Sequence, residues 1–196
     1  YQKGEYDLAG CIVGVVDRAK IIDGRKIKPG DVVLGLSSNG LHTNGYSLVR
    51  KIFGESRAAM NKKYADLGRT IGEALLEPHR CYYKPLKPLL PLIKGLAHIT
   101  GGSFFKNVPR VLPGGLTAQI DAAAWTVPPL FRLIQKNGNV DSAEMYHVFN
   151  MGIGMVVICS QRSVSKLTGA WPEAKIIGEV VKQTGEARVI INGISG

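Results

Sequence analysis

Two short stretches gather hydroxyl, amide and imidazole side chains with glycine just ahead of apolar residues at helical spacing. They are Ser37-Ser38-Asn39-Gly40-Leu41-His42-Thr43-Asn44-Gly45 and His98-Ile99-Thr100-Gly101-Gly102-Ser103. Glycine lets backbone approach a ligand closely, and the unpaired amides of a helix start donate hydrogen bonds toward an anion. Each stretch therefore suits a phosphate cradle, and each equally suits an ordinary capped turn. Neither matches a Walker A loop or the dinucleotide fingerprint. His42 and His98 read either as proton carriers near neutral pH or as satisfied polar residues beside a loop. No Ser-His-Asp arrangement is fixed by spacing, so no general base is assigned. Arg50 and Arg80 are candidates for bidentate phosphate contacts, against the commoner surface or salt-bridged role. In Asn150-Met151-Gly152-Ile153-Gly154, two glycines precede an apolar run, which points first to close backbone packing and second to substrate contact.

The cysteines add no chemistry. Cys11, Cys81 and Cys159 are odd in number and widely spaced, without a C-x-x-C pair, so neither a disulfide framework nor a zinc site is expected and no metal ligand set is assigned. Apolar neighbours suggest buried packing for all three, and a reducing, cytoplasmic compartment. A net charge of +10, from 25 Lys and Arg against 15 Asp and Glu, favours anionic partners in general. The basic residues are scattered, with small clusters only at Arg25 to Lys28 and Asn61 to Lys63. Stretches that interleave aromatic and basic residues are missing, so a nucleic-acid interface is disfavoured.

The elements that must position these residues are of mixed type. With 196 residues, 45% of them hydrophobic and 20% charged, the chain suits one domain with a substantial core. It holds no apolar run of about 18 residues, and Tyr1 to Glu5 lack both an initiating Met and a signal-peptide layout, which suggests a soluble fragment without membrane contact. Leu8 to Val16 and Asp31 to Leu36 predict strands, and Thr43 is placed to cap a helix through Phe53 that Gly54 stops. Residues Glu55 to Gly68 read as a polar surface segment. Thr70-x-x-Glu73 forms a capping box, and Asp141-x-x-Glu144 marks a second helix start. Prolines 85, 88 and 91 suit a short helix or polyproline II, with the helix preferred. Pro128 opens another helix, and Ser160 is placed to cap one reaching Leu167. Leu116 to Ile120 and Gly154 to Cys159 predict strands, and Ile176 to Val181 with Arg188 to Ile191 predicts a hairpin. The fold class expected is an α/β (α+β) sandwich, a mixed sheet flanked by helices with a two-strand hairpin at each end.

Four stretches carry a resemblance: Tyr6 to Gly10 with Gly14 to Val16, SSNGLHTNGYSLVRK from Ser37 to Lys51, LAHITGGSFFKNVPRVLP from Leu96 to Pro113, and EMYHVFNMGIGM from Glu144 to Met155. In order and over nearly the whole chain, they resemble the aminoimidazole ribonucleotide synthetase (phosphoribosylformylglycinamidine cyclo-ligase) family. The resemblance implies a C-terminal domain, preceded in the family by a domain that carries most of the ATP and Mg2+ site and makes a homodimer. The implied reaction activates the formamide oxygen of formylglycinamidine ribonucleotide with the γ-phosphate of ATP, after which an internal nitrogen closes the ring. By the same resemblance, Ser38, Gly40, His42, Asn44 and Gly45, with His98, Thr100, Gly101 and Gly102, would line the substrate side and hold a ribose phosphate or the transferred phosphate. Three positions depart from the family pattern: Ser103 stands where a third glycine is usual, His79 where threonine is usual, and Thr43 where serine is usual. Selenophosphate synthetase, thiamine monophosphate kinase, a hydrogenase maturation factor and formylglycinamide ribonucleotide amidotransferase share the architecture and are the alternatives, as is a non-catalytic phosphate-binding module. The HTNGYSLVR and HITGG pair favours the ring-closing enzyme.

Overall fold

The computed structural model describes residues 9–194. Among these residues eight strands form: β1 Val32–Ser37, β2 Lys63–Tyr64, β3 Arg69–Thr70, β4 Ile93–His98, β5 Leu116–Asp121, β6 Ile153–Cys159, β7 Lys175–Lys182 and β8 Val189–Asn192. β2 and β3 pair with each other, and the other six make one sheet in the order β4-β6-β1-β7-β5-β8. All neighbours in that sheet are antiparallel except β5 and β8, which run parallel. The sheet is therefore mixed, as expected.

Both of its faces are covered, which is why its strands are apolar almost throughout. The larger core brings Val33, Ala97, Ile120, Val156, Ile158 and Ile177 of the sheet against α1 Tyr46–Phe53, α3 Ile71–Leu75, α5 Ser103–Asn107, α6 Pro129–Gly138 and α7 Ser142–Val148. The smaller core holds the alternate residues Val32, Leu34 and Leu36 with Val157 and Cys159, under α4 Tyr83–Leu86 and α8 Val164–Ala170. The remaining short helix, α2 Arg57–Met60, lies in the segment read from sequence as a polar surface stretch.

Several boundaries follow their local signals. The capping box is made: Thr70 Oγ1 accepts from the Glu73 amide at 3.2 Å, and the Glu73 carboxylate accepts from the Thr70 amide at 2.8 Å. Asp141 caps α7 by accepting from the amides of Ala143 and Glu144. The proline-rich stretch is helical, first α4 and then a 3-10 segment Lys87–Leu92. After Ser160 comes a 3-10 turn Gln161–Ser163 and then α8.

Other expectations fail. Leu8 lies outside the described residues, but residues 9 to 16 form no strand and Ile12, Val13 and Val15 are almost fully exposed. A β-branched run needs a partner strand, and it pairs with none among the described residues. The C-terminal pair is not a hairpin either, because β7 and β8 lie on opposite sides of β5 and each bonds to it. Gly45, not Thr43, is the residue before α1; its φ of 81° is left-handed and a Cβ there would sit 2.1 Å from the Phe149 ring. Cys159 is buried, and burial pushes its thiol up to about 11, whereas Cys11 and Cys81 are exposed.

Candidate functional site

β1 and β4 are both antiparallel to β6, so they run in the same direction and end at the same edge. Ser37 pairs with Ile153 and His98 with Met155, which fixes the loops that follow β1 and β4 on either side of the loop that enters β6. The two stretches rich in glycine and polar residues, 53 or more positions apart in sequence, thus share one site with 149–152.

Asn150 joins them. It is fully buried; its Oδ1 accepts from Ser38 Oγ at 2.8 Å and from the Gly152 amide at 2.9 Å, and its Nδ2 donates to the Gly40 carbonyl at 2.9 Å. The Ser38 amide returns a bond to the Gly152 carbonyl at 2.8 Å. In the second loop Asn107 Nδ2 donates to the Ser103 carbonyl at 2.7 Å and approaches those of Thr100 and Gly101, while buried Ser103 donates to the Phe149 carbonyl at 2.7 Å. The hydroxyl at the departure position is thus a donor that ties loop 98–103 to loop 149–152. Asn44 Nδ2 donates to the Val148 carbonyl, and its Oδ1 is buried without a partner. Thr43 donates only to the adjoining His42 carbonyl, at 2.5 Å.

The backbone here is strained. Five non-glycine residues are left-handed among those described, and four of them, His42, Thr43, Ser103 and Met151, lie in these three loops. Each costs on the order of 1 kcal/mol or more, which surrounding contacts must offset, and such clustering marks sites where geometry is held for use. α1 has eight residues and α5 only five, so a macrodipole can assist an anion at Gly45 far more than at Gly102.

The imidazoles meet across the site. His42 and His98 have ring centroids 6.1 Å apart, and between them stands His79, stacked on His42 at 3.9 Å with its Nε2 3.0 Å from His98 Nε2. His42 is buried, whereas His79 and His98 are exposed. Burial, then the neighbouring His79 and His98, then Arg80, lowers His42 from 6.5 to about 4. Burial lowers His79, and burial with the adjacent His79 lowers His98. Gly154 is required beside them, since a Cβ there would lie 2.0 Å from the Tyr82 hydroxyl and 2.7 Å from His42 Nδ1. Close packing therefore explains this glycine.

The arginines take structural roles. Arg50 pairs with Glu55 at 3.3 Å on the surface, and Arg80 pairs with Glu173 at 2.7 Å, donates to Ser37 Oγ at 2.6 Å and lies over Trp171. The hydrogen bonds from Arg80 and Ser37 hold the Glu173 carboxyl below its usual range. Of the nine residues singled out from sequence, Ser38 and Gly40 line a cavity of about 180 Å³, together with Asn39, Asp66, Arg69 and Pro128. His42 and His98 form the imidazole group, Asn44 and Gly45 lead into α1, and Thr100, Gly101 and Gly102 enter α5. Sequence reading missed Asn107 and Asn150 as staples and His79 as a member. A polar side chain inside an otherwise apolar run, as at Asn107 and Asn150, is the signal that was available.

A protein-family model described as AIR synthase related protein, C-terminal domain, matches residues 28–191. A phosphoribosylformylglycinamidine cyclo-ligase of Paraburkholderia phymatum is 53% identical over 96% of this chain and 52% of its own length. One from Alkaliphilus metalliredigens is 45% identical over 97% of this chain and 56% of its own length. The chain thus spans about half the length of the curated relatives it matches. Among solved structures, thiamine-monophosphate kinase from Stenotrophomonas maltophilia superposes with a TM-score of 0.61 at 14% identity, over 91% of this chain and 55% of that one. That likeness is one of fold.

Proposed function

The chain belongs to the AIR synthase related protein family, as its C-terminal domain, and on that footing we propose that it is the substrate-side half of an ATP-dependent cyclo-ligase that closes the imidazole ring of formylglycinamidine ribonucleotide. The observation that carries the reading is the meeting of loops 38–45 and 98–103 at one edge of the sheet, braced by Asn150 and Ser103. Loops braced at their ends hold backbone amides in fixed directions, and pre-aimed donors stabilise a phosphorylated group without rearranging. Ser38, Gly40, His42, Asn44 and Gly45 on one side, and His98, Thr100, Gly101 and Gly102 on the other, would hold the ribose phosphate or the phosphate being transferred. The covalent events are few in such a reaction, so positioning and charge stabilisation are this chain's contribution.

Mg2+ requires hard oxygen ligands in near-octahedral order. The carboxylates near the site do not supply such a set: Glu77 is paired with Arg69 at 2.5 Å and Glu173 with Arg80, which leaves Asp66 as the single unpaired carboxylate of the cavity lining. One carboxylate does not by itself make a Mg2+ site in this chain. ATP and Mg2+ would be held mainly by a preceding domain of the parent protein, which would act as a homodimer in the cytoplasm, and the 196 residues alone would be inactive. Among the described residues no helix is long and apolar enough to cross a membrane.

Calorimetric titration of the chain with formylglycinamidine ribonucleotide, and separately with ATP and Mg2+, tests this. Saturable ribonucleotide binding that Asn44→Ala weakens is the expected result. ATP binding without ribonucleotide binding would assign this half to the nucleotide and overturn the reading.

A further inference from the structure

We propose that His42, His79 and His98 form a three-histidine site for one divalent transition-metal ion of the Zn2+ class, distinct from the Mg2+ that the reaction itself would need. The three come from the loop after β1, the segment before α4 and the end of β4, and one ring nitrogen of each lies within 4.8 Å of those of the other two.

His42 is held as a metal ligand is. Asn39 Nδ2 donates to the Pro78 carbonyl, which turns its Oδ1 toward His42 Nε2, 2.8 Å away. That contact places the proton on Nε2 and leaves the lone pair on Nδ1; the Asn39 amide, 3.4 Å from Nε2, is then a long contact only. Nδ1 is buried with no hydrogen-bond partner, in a residue only 4% exposed. A buried acceptor without a donor has given up its hydration for nothing, and an ion bound through it removes that cost. An amide oxygen fixing the other ring nitrogen is the outer-shell contact that metal-bound histidines ordinarily have.

His79 and His98 direct their Nε2 atoms at each other across 3.0 Å, where only one proton can lie. A tetrahedral ion with bonds of about 2.0–2.1 Å holds two nitrogens about 3.3 Å apart, so this pair is a few tenths of an ångström from a ligating separation. Both rings are exposed, and one ion on all three would require His79 to leave its stack on His42 so that its nitrogen and that of His98 converge with His42 Nδ1. Three neutral nitrogens with no carboxylate among them select Zn2+, Cu2+, Ni2+ or Co2+ over Mg2+ or Ca2+. Arg80 is the nearest opposing charge, and Glu173 neutralises it at 2.7 Å.

Titration of the 196-residue chain with ZnCl2 by calorimetry, and with CoCl2 by visible absorption, tests the site. One ion per chain is expected, with the absorption of a low-coordinate nitrogen site and no response to MgCl2. Outer-shell losses weaken metal sites by 10–100-fold, so Asn39→Ala should fall in that range and His79→Thr, at an exposed position, should cost about 100-fold or more. Cys81→Ser, two residues along the chain, and His147→Ala should bind as the parent does. Absence of a stoichiometric ion, affinity retained in His79→Thr, or affinity lost in Cys81→Ser would each overturn the proposal.

Discussion

The two ends of β1 differ sharply, although one strand carries both. At its start, Asp31 is 2% exposed and fully satisfied: Lys94 Nζ donates to its two carboxylate oxygens at 2.6 and 2.7 Å, and the Lys28 amide donates to one of them at 2.8 Å. At the other end, His42 Nδ1 and Asn44 Oδ1 are buried without partners, and four left-handed residues crowd the surrounding loops. Unsatisfied polar atoms and strained backbone are tolerated where a ligand is to complete them, whereas a sealed ion pair serves register and stability. The polar residues at the first end act for the fold, and those at the second act for the site.

The largest effect expected in testing this contrast is at the sealed end. Asp31→Ala leaves Lys94 without its charge partner and should cost about 3–5 kcal/mol, lowering the melting temperature by about 10 °C for a chain of this size. Ribonucleotide affinity in the folded protein should not change; a parallel loss would show that the two ends are not independent. Asn150→Ala comes next, with three hydrogen bonds removed and about 2–3 kcal/mol lost in denaturant titration. Because it frees Ser38, Gly40 and Gly152 together, it should weaken ligand binding as well.

The pH response is smaller and distinguishes the ends in another way. The folded state holds His42 at about 4, against 6.5 unfolded, so the unfolded chain binds more protons between those values. The associated stability is complete above pH 6.5 and lost as pH falls toward 4, and lowered His79 and His98 act in the same direction. Melting followed across that window in the presence of chelator should show a steeper decline for the native chain than for His42→Asn; equal slopes would remove His42 as the cause. The smallest change expected is Ser103→Gly, which relieves a φ of 51° while deleting the bond to Phe149, two effects of about 1 kcal/mol each with opposite sign. A net change within about 1 kcal/mol is predicted, and Ser103→Ala, which keeps the strain and loses the bond, should be the less stable of the two.

Much of the fold was legible because its signals are local. The Thr70 box, the Asp141 cap, the apolar runs of β1, β5 and β6 and the helix after Pro128 each depend on residues a few positions apart. Pairing was not legible. Residues 176–181 and 188–191 have the pattern of a hairpin, but β5 offered each an edge, and which edge wins depends on packing across the sheet. The exposed run at Ile12 to Val16 has the composition of a strand and no strand to join within these residues.

By itself, then, the sequence determined the mixed αβ class, the helix starts and the two polar loops, together with the motifs that carry the family resemblance. Only the tertiary structure decided that β1 and β4 end at the same edge, that Asn150 fastens one loop and Ser103 the other, and that His79 stands between His42 and His98. Those three histidines are separated by 37 and 19 positions, far outside any local ligand spacing, and their meeting follows from strand order. Strand order is set by which faces and edges bury the most apolar surface, a property of the whole chain that no single segment contains.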